Sequence, residues 1–196
     1  MNEPDDIQLL RAIRQGDSAA FQGLYRRHRQ GLYSFALMHS GAPDVAADVV
    51  QEVFMGLLGG GYGFDPLKGR LVQFLFGVAR NLVLRHARSN GRWVQPAGGF
   101  DDDDADDGVE LADTAAGPLA RLLDDEAAEQ LQRALAKLAP HYRDVLILFE
   151  LQEMSYQEIA EVCQLEIGTV RSRLSRGRAA LTKALGPYRD IAKEFA

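Results

Sequence analysis

The chain has 196 residues, 46% hydrophobic and 26% charged, which fits one globular domain or two small ones and makes a soluble protein the expected class. No run approaches the roughly 20 apolar residues that cross a bilayer, the acidic start Met1 to Ile7 is unlike a secretory signal, and the single Cys163 excludes an internal disulfide and gives no metal-ligand set. The net charge of −6 argues against a nucleic-acid partner only until it is resolved along the chain: residues 1–90 carry +2 (ten Lys/Arg against eight Asp/Glu), 91–126 carry −9 (two against eleven) and 127–196 carry +1 (ten against nine).

Residues 7–90 predict an all-helical unit. Ile7 to Arg14 is a short helix that ends near Gly16, and Asp17 or Ser18 caps a longer one running through His39. Its apolar stripe is Phe21, Leu24, Tyr25, Leu32, Phe35 and Ala36. Gly41 and Pro43 punctuate, and Asp44 to Leu58 resumes the helix with Val45, Val49, Val53 or Phe54, and Leu57 inward. The glycines of LLGGGYGFDP force a loop. Leu71 to Arg88 is the last helix of the unit, with Leu71, Phe74, Leu75, Val78 and Leu82 apolar and the cluster Arg80, Asn81, Arg85, His86 and Arg88 polar. Together with Lys68 and Arg70 in the loop before it, this basic helix is a candidate nucleic-acid surface.

Residues 91–118 have no helical or strand period. High Gly and Pro, with six aspartates in the seven positions 101–107, mark a flexible acidic linker. The cluster lacks the spaced Gly and terminal Glu of a calcium loop, so no metal or other cofactor is expected. Beyond it Leu119 to Leu138 is amphipathic through Leu119, Leu122, Leu123, Leu131, Leu135 and Leu138, and Pro140 suits the first turn of a helix continuing through Val145, Leu146, Leu148, Phe149 and Leu151.

The most informative stretch is Leu151 to Leu181. Ser155 and Glu158 have the spacing of a capping box, with Met154 and Ile159 placed as a hydrophobic staple. Cys163 to Gly168 is a turn, Cys163 itself reading as a small core residue. A second helix begins around Gly168 and Thr169 and buries Val170, Leu174, Gly177, Leu181 and Leu185. Its opposite side carries Thr169, Ser172, Arg173, Ser175, Arg176 and Lys183, flanked by Arg171 and Arg178, and no acid interrupts Ile167 to Arg189. Two helices, a short turn and a basic second helix form the helix-turn-helix design, in which the second helix enters a DNA major groove. Arg pairs with guanine edges or phosphates, and Ser or Thr reaches either.

These segments, taken in order, resemble the extracytoplasmic-function (ECF) sigma factors of bacterial RNA polymerase over nearly the whole chain. GDSAAFQGLYRRH, DVVQEVF (48–54), FDPLKGR (64–70) and LFGVARN (75–81) are similar to that family's domain 2, and MSYQEIAEVCQLEIGTVRSRLSRGRAAL to its domain 4. The resemblance implies an all-α fold of two small helical domains: domain 2 over residues 1–90, the acidic linker over 91–118, domain 4 over 119–186 and a short extension over 187–196. It implies that Asp48, Gln51 and Glu52 meet the clamp helices of the polymerase beta-prime subunit, with the beta subunit as a further contact. Lys68, Arg70, Arg80, Asn81, Arg85 and Arg88 are expected at the minus-ten element, where a non-template base is flipped. Thr169, Arg171, Ser172, Arg173, Ser175 and Arg176 are expected at the minus-thirty-five element. Members are commonly held inactive by an anti-sigma factor, and their linker runs through the polymerase active-site cleft. The chain departs from the family in having Phe74 where Trp is frequent, glycines after Leu57 and Leu58 where a Leu-Trp pair is frequent, and Arg85 where Asp is common.

The expected function is therefore promoter recognition as a dissociable polymerase subunit in the cytoplasm, monomeric when free and without membrane insertion, and no catalysis. The alternative from another class is a stand-alone helix-turn-helix regulator, which would need a dimer interface and a palindromic site. An enzyme would need grouped carboxylates on ordered elements or a phosphate loop, and GGGYGF has no following Gly-Lys-Ser/Thr.

Overall fold

The computed structural model describes residues 4–89 and 125–194. Four helices precede the gap: α1 (Asp6–Arg14), α2 (Ser18–Ser40), α3 (Pro43–Leu58) and α4 (Leu71–Ser89). After it come α5 (Asp125–Ala136), α6 (Pro140–Leu146), a five-residue π-helical segment (Ile147–Leu151), α7 (Tyr156–Cys163) and α8 (Ile167–Glu194). All regular structure among the described residues is helical, as the periodicities predict, and none of these helices is long and apolar enough to cross a membrane. The acidic linker and the expected helical start at Leu119, Leu122 and Leu123 lie outside the described residues.

Local signals set the helix ends. Asp5 and Gln8 close a capping box on α1, and the Asp17 carboxylate accepts from the N–H groups of Ala19 and Ala20 at the start of α2. Gly41, at φ +72°, gives α2 its left-handed stop. Pro43 and Pro140 occupy the first turns of α3 and α6, where a missing N–H costs nothing.

The first four helices bury the stripes that their periodicity marks. Leu24, Leu32, Phe35 and Ala36 of α2, Val49, Val53 and Phe54 of α3, and Leu71, Leu75 and Leu82 of α4 are all buried. Both Val53 and Phe54 face inward, the latter against the rings of Phe21 and Tyr25. In the second set Leu131, Leu135, Leu138, Val145 to Leu148, Ile159, Val162, Val170 and Leu174 form the interior.

The two sets do not stand apart. Their buried residues form one continuous apolar cluster from Leu9 to Leu174. Helix α2 packs on α5, α6 and the π segment, while α4 packs on α7. Arg143 ties the sets at their helix ends: it donates to the carbonyls of Leu135, Ala136 and Leu138 at the end of α5 and to that of His39 near the end of α2. Carbonyls at a helix C-terminus have no partner within the helix, so one guanidinium here satisfies two helix ends.

Two details differ from the sequence expectation. The helix begun by Pro140 does not continue regularly to Leu151 but widens into π turns after Leu146, with the Ile147 carbonyl accepting from the Gln152 N–H. Val145 to Leu148 are buried consecutively, so this stretch is enclosed on every side rather than on one stripe, and periodicity cannot mark its geometry. Helix α8 begins at Ile167, slightly before the expected Gly168 or Thr169, and its backbone stays helical to Glu194, through most of the expected extension.

Candidate nucleic-acid interface

The helix-turn-helix assembles from its local signals. The Ser155 hydroxyl accepts from the Glu158 N–H, and the Glu158 carboxylate accepts in return from the Ser155 N–H at 2.9 Å. These contacts hold the Glu158 carboxyl below the usual range: the Ser155 backbone bond does most, with smaller help from the Ser155 hydroxyl and Arg70 against the opposing effect of burial. Met154 and Ile159, the staple pair, are both buried. Gln164 takes the left-handed conformation (φ +57°) that closes α7 and turns the chain into α8. Cys163 is buried behind the turn, and burial, with the Asp144 charge second, pushes its thiol up to about 12; it is a core residue as read, with no reactive thiolate.

Val170, Leu174 and Gly177 bury one face of α8 against α6, where Gly177 leaves room for Leu146 and Tyr142. Leu181 and Leu185 are only half-buried. On the other side Arg171, Ser172 and Arg176 are exposed, while Thr169, Arg173 and Ser175 lie at the half-buried margins. The Arg171 guanidinium lies 5.8 Å from the centre of the Tyr156 ring, and the Ser172 hydroxyl donates to the Thr169 carbonyl, which leaves its oxygen able to accept. Arg178, expected at the flank, donates to Glu150 at 2.9 Å and stacks on Phe149. It therefore fastens α8 to the π segment.

On α3 the three expected polymerase contacts share one side, at spacings of three and one. Asp48 and Gln51 are exposed, and Glu52 is part-exposed beside Arg85 of α4. The same row continues into Met55 and Leu58, which are 62% and 46% exposed. Periodicity placed neither residue in a site. An apolar side chain left in water at the end of a polar row is the signal that it missed, and only burial reveals it.

The six minus-ten candidates separate into different environments. Lys68, Asn81 and Arg88 are exposed. The loop carrying Lys68 is shaped by Asp65, whose carboxylate accepts from the Leu67 N–H and whose carbonyl accepts from the Lys68 N–H. Arg85 is exposed and pairs with Glu52 at 2.6 Å. Arg70 is exposed and meets Glu158 of α7 at 2.7 Å. Arg80 is turned inward: its Nε donates to Asp144 Oδ2 at 2.7 Å.

Asp144 is the group that sequence reading did not single out. The residue is 1% exposed, and its carboxylate sits between two side chains of the other helix set, Arg80 on one oxygen and His39 Nε2 at 2.8 Å on the other. Burial alone would raise the Asp144 carboxyl, but His39 and Arg80, each through a hydrogen bond and its charge, outweigh it and hold the carboxyl below its ordinary range. A lone Asp within PHYRDVLIL carries no pattern; its partners lie 64 and 105 residues away.

Comparison with known proteins agrees with this architecture. Residues 24–92 match the Sigma-70 region 2 family and residues 128–181 the Sigma-70 region 4 family. The chain is 29% identical to the RNA polymerase sigma-H factor of Pseudomonas aeruginosa, covering 95% of this chain and 97% of that one. It is 32% identical to the ECF RNA polymerase sigma factor EcfG of Rhodopseudomonas palustris, covering 84% and 83% respectively. Among solved structures, the sigma factor RpoE of Bartonella quintana, crystallised with the anti-sigma factor NepR, aligns with a TM-score of 0.62 at 29% identity, over 85% of this chain and 96% of that one.

Proposed function

We propose that this chain, which belongs to the extracytoplasmic-function family of RNA polymerase sigma factors, binds core polymerase through α3 and reads a promoter through α4 and α8. The observation that carries the reading is the exposed, acid-free face of α8 on a fully formed helix-turn-helix, at the opposite end of the sequence from the Asp48, Gln51 and Glu52 row.

In this reading residues 1–90 act as domain 2 and 119–186 as domain 4, joined by the acidic segment 91–118. Asp48, Gln51 and Glu52 face the beta-prime clamp helices, and Met55 and Leu58 supply apolar area at the edge of that contact. The exposed Lys68, Asn81 and Arg88, with Arg70, Arg80 and Arg85 once released from their acids, follow the minus-ten strand. Arg171, Ser172 and Arg176 enter the major groove at the minus-thirty-five element, with Thr169, Arg173 and Ser175 at its edges. Flipping a base from the stack costs a few kcal/mol, offset by contacts that exist only for the single strand. Strand opening then follows from binding energy, and the chain contributes no catalytic group. Its place is the cytoplasm, where the polymerase works, and an anti-sigma factor is its expected regulator, as NepR is the partner of the aligned RpoE.

The test is transcription in vitro from a promoter library with bacterial core polymerase, with and without the chain. Enrichment of promoters that share two elements at fixed separation is the expected outcome. No activation, together with tight duplex binding by the chain alone, would favour a stand-alone regulator.

A further inference from the structure

One apolar side chain of the helix-turn-helix is left in water. Ile167, the first residue of α8, is 42% exposed and lies outside the apolar core against which Leu165, two positions earlier, still packs. Singly exposed apolar residues are common, so exposure alone assigns nothing. The neighbours of Ile167 say more. It lies one turn before Arg171, and Gly168 lies one turn before Ser172, so the two residues begin the face that carries the candidate minus-thirty-five contacts. In a helix-turn-helix the N-terminal residues of the second helix are the ones that reach base edges. The exposed charged groups around Ile167 are Glu161 and Glu166, which with Gln157 and Gln164 edge a shallow depression beside it. Both acids repel phosphate, and the first cation of the helix, Arg171, comes a turn later. This end of α8 is therefore better fitted to a base edge than to the DNA backbone. The apolar feature that the major groove offers there is the C5 methyl of thymine.

Gly168 supplies an independent observation. It is exposed, its φ is not in the positive range that favours glycine, and a Cβ there would meet nothing within 4 Å. Neither backbone conformation nor packing within the chain requires glycine at this position, and alanine would hold the helix better. A missing side chain on an exposed helical face fits the close approach of something outside the chain.

We propose that Ile167 is a specificity-determining residue for the minus-thirty-five element, packing on the methyl group of one thymine, and that Gly168 lets α8 come close enough for that contact. The inference deepens the reading of α8 as the minus-thirty-five helix and rests on it. Ile167 sets the base pair preferred at one position, while the cations and hydroxyls of the same face hold the duplex.

The experiment uses holoenzyme assembled from core polymerase and the full chain, as wild type, as Ile167→Ala and as Gly168→Ala, with the most enriched library promoter as the duplex. Each thymine of the minus-thirty-five element, on either strand, is replaced in turn by uracil, which removes the methyl group and keeps the hydrogen-bonding edge. Wild type should lose about fourfold in affinity at one thymine, the effect of leaving one methyl group unburied. Ile167→Ala should bind thymine and uracil equally at that position. Gly168→Ala should unfold in urea no earlier than wild type, yet bind the duplex at least about fivefold more weakly. Tolerance of uracil at every position by wild type overturns the proposal, as does a thymine preference that persists unchanged in Ile167→Ala, or an element with no thymine on either strand. Full-strength binding by Gly168→Ala removes the close approach. Failure of the sigma-factor reading is distinct: the library then yields no promoters with two shared elements, and all three chains leave core polymerase without a preferred duplex.

Discussion

Arg176 and Arg171 show what a single side chain contributes on the face of α8. Both are exposed, Arg176 on the side opposite Val170 and Leu174 and Arg171 at the flank of that stripe. Replacing either by Ala should weaken binding to the minus-thirty-five element by about 1–3 kcal/mol if it contacts a base, with preference relaxed at one position. A phosphate contact would instead give a uniform loss and a smaller salt slope, and footprinting at varied salt separates the two. Asp144 gives a second expectation at this scale. A carboxyl held below its ordinary range stabilises the folded state above the unfolded value near about 4 and loses that contribution as pH falls through the lowered folded value. Asp6, lowered because the hydrogen bonds from His28 and then Arg27 outweigh its burial, and Glu158 work in the same direction. The urea midpoint should therefore fall as pH drops below about 5, and Asp144→Asn should flatten part of that fall.

At the scale of the element, the helix-turn-helix is held by its cap and by one close approach. Ser155→Ala removes the hydroxyl that the Glu158 N–H donates to. It should cost about 1 kcal/mol in a urea titration, with α8 unaltered. Gly177 is a stricter position: a Cβ there would lie 3.1 Å from Leu146 Cδ1 and 3.4 Å from Tyr142 Cβ. A branched side chain must push α8 off α6, so Gly177→Leu should destabilise by about 1–3 kcal/mol and tilt the basic face. Loss of minus-thirty-five binding beyond the loss of stability would report that tilt. The capping box, the glycine stop of α2 and the apolar stripes were all legible because each is written within a few residues. The π segment was not, because its geometry answers to packing from every side.

For the molecule as a whole, charge distribution separates binding to polymerase from binding to DNA. Gln51 and Glu52 are surface residues, so replacing both by Ala should leave stability within about 0.5 kcal/mol while reducing capture of core polymerase. Equal capture by the double variant would place the contact elsewhere. The free chain should bind duplex DNA poorly, because residues 91–126 carry eleven acids against two bases and repel phosphate. Tight, salt-sensitive duplex binding without polymerase would contradict that expectation.

The sequence by itself determined the all-helical architecture, the helix-turn-helix and the family, since periodicity, capping and turn chemistry are short-range and the motifs recur in order. It also supplied the candidate binding residues by type. What it left open was their state, because that depends on neighbours far along the chain. Arg80 and Arg85 sit five positions apart on one helix, yet one is drawn onto the buried Asp144 and the other onto a surface Glu52. Only tertiary packing could decide this: a buried ion pair requires the chain to bring its charges together and exclude water around them, and residues 64 and 105 apart meet only when the two helix sets close.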